Sequence, residues 1–169
     1  MAVKKTQLPK GSQLHSFFRK GDFLDCYSVK LGRSDLSIDQ VAQHIFIGLP
    51  VWIDTLLFLR DSSVSLLGLK KTTDLPRDTT MREQVKAGEA INFFPVQSIA
   101  NDEIILGEDD RHLDFKIAVY RDRDVPNEIS LATLVHTHNR LGRTYLRLIY
   151  SFHVMIVNSR LSALARQFP

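Results

Sequence analysis

At 169 residues, 44% hydrophobic and 24% charged, the chain is long enough to bury about two-thirds of its unfolded surface as one domain without disulfides or metals. Its net charge of +3 is uneven: Lys4, Lys5, Lys10, Arg19 and Lys20 precede any acid, so the rest of the chain holds 17 of the 22 bases against all 19 acids. A nucleic-acid-binding domain concentrates base on its folded part, so this balance speaks against that class.

The opening MAVKKTQLPKGS lacks the apolar core of a signal peptide, and residues 1–20 read as a basic, frayed arm ahead of a single domain over 21–169. The most apolar window, 45–59, is broken by Gly48, Pro50 and Asp54. It falls short of the ~20 apolar residues that span a bilayer, so no membrane span is expected. The lone Cys26 excludes an internal disulfide and suits a reducing compartment, predicting a cytoplasmic protein.

In chain order, a strand is predicted over about 23–31, left through Gly32-Arg33-Ser34-Asp35. Ser37-Ile38-Asp39-Gln40 is a capping box, followed by Val41, Ala42, Ile45 and Phe46 at helical spacing. Pro50 suits the first turn of a second helix, heavily apolar and running to about Leu67 with Gly68 as its stop. Thr80-Met81-Arg82-Glu83 reads as another capping box, predicting a short helix ending at Gly88. Four strands follow at about 91–98, 103–107, 112–121 and 128–138, separated by turn-rich segments that predict an antiparallel meander. A long helix over about 140–167 closes the chain, with Leu141, Tyr145, Leu148, Ile149, Phe152, Ile156 and Ala163 as its expected apolar stripe.

Strand, helix pair, antiparallel strands and a long terminal helix predict an α+β helix-grip fold, a curved antiparallel sheet wrapped around the C-terminal helix. The strand around 112–121 carries two kinds of face: His112 and Asp114 on one, and Leu113, Phe115, Ile117 and Val119 on the other. The apolar set is expected to face the core.

Several segments recur together in one bacterial family. They are Leu49-Pro50-Val51-Trp52, Leu57-Phe58-Leu59-Arg60-Asp61, Phe94-Pro95-Val96, LGEDDRHLDF over 106–115 and His138-Asn139-Arg140-Leu141-Gly142-Arg143-Thr144-Tyr145. On these the chain resembles the domain-of-unknown-function 2867 family, which is similar to the START-like, pollen-allergen-like and polyketide-cyclase (SRPBCC, helix-grip) superfamily. The resemblance spans about 8–165. It implies a cavity between sheet and terminal helix for lipids, polyketides or other apolar ligands. It implies no reaction and no cofactor.

The residues expected to line such a cavity, and so to bind a small hydrophobic or amphipathic molecule, are Trp52, Arg60, Phe94, Phe115, Tyr145 and Phe152. Arg60 lies in an apolar run and needs a carboxylate, either from a ligand or from the acidic turn at Asp109, Asp110 or Asp114. An enzymatic alternative, cyclase-, hydrolase- or isomerase-like, uses Asp109, Asp110, His112 and Asp114 as acid–base groups, although a turn bonded to its own backbone accounts for the same acids. His112, Asp114, His136 and His138 could ligate a divalent metal, against which stands a polar ladder on the outer face. On the terminal helix, Arg143 and Arg147 read as a solvated face, while Tyr150 and His153 adjoin the stripe. A third alternative is a protein-interaction domain with a filled interior, and a homodimer is left open.

Overall fold

The computed structural model describes residues 2–32, 35–55, 77–109, 113–125 and 127–169. Its strands are β1 (Lys4–Lys5), β2 (Phe23–Lys30), β3 (Ala90–Ile91), β4 (Phe94–Ile99), β5 (Glu103–Asp109), β6 (Leu113–Arg121) and β7 (Glu128–Thr137). They form one sheet in the order β1-β2-β7-β6-β5-β4-β3, every neighbouring pair antiparallel. Helices α1 (Ile38–Phe46) and the long α2 (Arg140–Gln167) accompany it. The architecture is α+β, an antiparallel sheet with a long C-terminal helix, consistent with a helix grip.

Alternation along the strands builds two unlike faces. Tyr27, Val29, Ile104, Leu106, Val119, Ile129 and Leu131 point inward and form the main core with α1 and the second half of α2. Cys26, Ile105, Ala118, Ala132 and Leu134 point the other way and form a second, smaller core. Within the LGEDDRHLDF stretch, Gly107 has a steric reason. A Cβ there would lie 2.2 Å from the Phe115 carbonyl oxygen across the β5–β6 ladder.

The second core overturns the expectation of a frayed N-terminal arm. β1 pairs with β2, and a 3₁₀ turn at Gln13–Phe17 lays Leu14 on the outer face with no exposed surface. Covering one leucine fully contributes ~1.5–3 kcal/mol toward ordering this segment, which hydrogen bonds to Glu103 supplement. Glu103 supplies the polar anchor: Ser12 Oγ donates to it at 2.5 Å and the Gln13 N–H at 2.7 Å. Burial pushes the Glu103 carboxyl above its ordinary 4.5, against the pull of those two donors.

A carboxyl whose pKa rises on folding contributes stability that is complete below its unfolded value and is lost as pH climbs through the folded value. Part of the stability is therefore expected to disappear as pH rises from about 4.5 through the raised value. Glu103→Gln should remove that component from a series of urea denaturations run from about pH 4 to about pH 7. An unaltered pH slope in the variant would show that Glu103 does not titrate with folding.

α1 forms as its capping box predicts, with Ser37 N–H donating to Gln40 Oε1 at 3.1 Å. Residues 51–55 are helical; the rest of the expected second helix lies outside the described residues. The short helix expected from Thr80 does not form. Its backbone is bonded elsewhere: Thr80 N–H to Asp78 Oδ1, Arg82 N–H to Gln43 Oε1 at 2.7 Å, and Val85 N–H to Asp39 Oδ2 at 3.0 Å. The buried polar side chains of α1 thus take the donors that a helix would have used.

α2 also departs from its expected stripe. Its buried residues are Gly142, Tyr145, Val157, Arg160, Leu161, Leu164 and Ala165, whereas Leu148 is 65% and Phe152 45% exposed. The first half of α2 is amphipathic on more than one side, so helical spacing alone picks the wrong face. Its length and apolar content would suffice to cross a membrane, a test that long core helices also pass.

Candidate functional site

α2 begins directly after β7, with Asn139 Oδ1 accepting the Gly142 N–H at 2.9 Å as its N-cap. That short connection sets the first turns of the helix over the end of the sheet where β2 starts and β7 stops. Arg143, Leu146, Arg147 and Tyr150, spaced i, i+3, i+4 and i+7, share one face there. With Gly21, Asp22, Phe23 and Thr137 they line an open cleft of about 400 Å³. The Phe23 and Tyr150 rings meet edge to face, centroids 5.6 Å apart at 78°, and form its apolar floor.

Behind that floor lies a buried polar group set. Asp25, on β2, has a side chain only 2% exposed and receives His153 Nε2 at 3.0 and 3.2 Å from its two oxygens. Tyr27 is hydrogen-bonded to Tyr150, and burial together with the Asp25 charge pushes its hydroxyl up to about 12. The same two causes, burial first, push the Cys26 thiol up to about 12, which makes it an inert core residue. The helix face that lines the cleft is therefore locked to the sheet from below.

The outer face carries the histidine ladder expected from the sequence. Register sets Asp114 opposite His136. His136 Nδ1 donates to Asp22 at 2.5 Å, His138 Nε2 to Asp114 at 2.9 Å, and the two imidazoles lie 5.0 Å apart. Each ring is held by its own carboxylate. Among the described residues no group of three or more His, Cys, Asp or Glu side chains is placed to hold a metal; His112 lies outside them.

Asp109, at the end of β5, is held by a similar contact. Asp109 bonds Lys116 Nζ at 3.3 Å, and Lys116 also donates to Gln97 and sits over the Phe17 ring. Asp114 is on the outer face, away from the cleft. Asp110, like Arg60, lies outside the described residues, so the expected bridge from Arg60 to this turn does not fall on them.

The other residues expected to bind ligand are not brought together as one set. Phe94 and Phe115, both half-buried, do meet, centroids 6.1 Å apart, in an aromatic row that continues to the buried Phe46 and Phe93. Tyr145 is buried separately with Leu113, Leu141 and Ile149. Trp52 is partly exposed on the helical segment 51–55, and Phe152 faces away from the sheet, because the inward side of α2 runs through Tyr150, His153 and Val157 instead. No sequence motif singles out Phe23, Leu146 or Thr137, and helical spacing alone places Arg143 and Arg147 on a solvated face. One signal was present: no Asp or Glu occurs anywhere in 140–167, although five arginines do. Ordinary solvated helix faces mix both signs.

A family model described as "Protein of unknown function (DUF2867)" matches residues 17–160. No curated protein and no solved structure matches the chain.

Proposed function

We propose that this chain, which belongs to the DUF2867 family, holds a small hydrophobic or amphipathic molecule in the cleft between the β2–β7 end of the sheet and the first half of α2. The observation that carries the reading is the cleft itself. Its volume of about 400 Å³ falls within the roughly 300–1,000 Å³ of small-molecule sites, and an apolar floor of Phe23, Leu146 and Tyr150 is rimmed by a few charged groups. Its walls are a sheet end and a helix pinned by the Asp25–His153 pair, so the site is largely preformed. The role is binding in the cytoplasm, with no catalytic step assigned: Asp109 and Asp114 are engaged by Lys116 and His138 on the far face.

The test is saturable binding of a neutral fluorescent probe, N-phenyl-1-naphthylamine, to the purified protein. Leu146→Trp, which fills the cleft, is expected to weaken binding about tenfold or more, while Phe152→Ala, on the opposite side of α2, leaves it unaltered. Far-UV circular dichroism checks that both variants fold. Loss of binding on Phe152→Ala but not on Leu146→Trp would move the site to the other side of the helix. Absence of any probe binding would favour the protein-interaction role.

A further inference from the structure

We infer that the ligand of this cleft is an amphipathic anion, its acidic group held by Arg143 and Arg147 and its apolar body lying along Phe23, Leu146 and Tyr150. The inference rests on the binding role proposed above and adds the charge of the ligand. α2 carries five arginines and no acid. One of the five, Arg160, is consumed in the core, where it donates to backbone carbonyls. Arg143 and Arg147 are exposed, line the cleft, and have no carboxylate partner among the described residues.

The single acid at the cleft cannot balance them. Asp22 is 2% exposed at its side chain and already accepts His136 Nδ1 at 2.5 Å and the Arg19 N–H at 2.9 Å. Two guanidinium groups four residues apart on one helix repel, and no described residue relieves it. A bound carboxylate does, because guanidinium forks donate paired hydrogen bonds to its two oxygens. A neutral or cationic ligand would leave the repulsion in place.

The experiment measures displacement of N-phenyl-1-naphthylamine by decanoate, decanol and decylamine, which share one chain length and differ in head group. Decanoate is expected to bind about tenfold or more tightly than either of the others. The Arg143→Gln, Arg147→Gln double variant should erase that preference, and Arg166→Gln, at the far end of α2, should keep it. Equal affinity for decanoate and decanol in the unmodified protein, or a preference that survives the double variant, overturns the inference while the binding role stands. Binding of neither the probe nor any of the three overturns both.

Discussion

Replacing Arg160 with Met is expected to cost about 3–5 kcal/mol of folding stability, because several buried carbonyls lose their donor at ~1–3 kcal/mol each. The residue is 8% exposed and has no carboxylate partner among the described residues; it donates to carbonyl oxygens at the end of α1. Nε donates to Ile45 at 2.6 Å, Nη2 to His44 and Ile47 at 2.9 and 3.1 Å, and Nη1 to Gly48 at 3.4 Å. A helix leaves its last four carbonyls without partners, and burying them unbonded costs ~1–3 kcal/mol each. Here the account closes: Asn92 Nδ2 bonds the Phe46 carbonyl at 2.9 Å and the Ile47 N–H bonds that of Gln43. Asn92 holds that position with a left-handed φ of 57°. The positive charge also lies at the negative end of the α1 dipole, which offsets part of the cost of burying it. Burial alone lowers the Arg160 pKa, but a guanidinium stays charged well above neutral pH. Arg160→Lys should recover only part of the loss, because a compact ammonium cannot span four acceptors. Urea denaturation with an unaltered m-value measures both variants. A loss below ~1 kcal/mol for the Met variant would mean that water replaces the guanidinium at these carbonyls.

Much of the sheet was legible in the sequence because alternation is a local signal. The inward set Leu113, Phe115, Ile117 and Val119, the outward Asp114 and His136, and the Ser37 capping box all follow from spacing within a few residues. The polar anchors were not legible, since each joins residues far apart in the chain. Arg160 reaches α1 across more than a hundred positions, and Glu103 binds Ser12 from the first position of β5. The α2 stripe failed for a different reason. Leu148, Phe152 and Met155 are as apolar as Ile149 and Val157 on the inward side, so periodicity cannot choose between faces.

His153→Phe is expected to destabilise the fold by ~3–5 kcal/mol, because it strands the Asp25 carboxylate in the interior. Asp25 and His153 stand 128 residues apart and join β2 to the middle of α2, so the pair fixes the helix register beside the cleft. Removing both partners together, as Asp25→Leu with His153→Phe, should cost less than the sum of the single changes by ~1 kcal/mol or more, since no charge is then left buried. A separate reading comes from Tyr27. Burial and the Asp25 charge together hold its hydroxyl at about 12, above the ordinary 10.0. Asp25→Asn removes only the charge, so the phenol pKa should fall and yet stay above 10.0, because burial, the larger cause, remains. Absorbance titration near 295 nm, comparing Asp25→Asn with Asp25→Asn, Tyr27→Phe, isolates that phenol. If the two stability losses are additive and the Tyr27 titration does not move, the Asp25–His153 pair does not fix the helix register. The helix would then be held over the cleft by packing of Phe23 against Tyr150 and His153 instead.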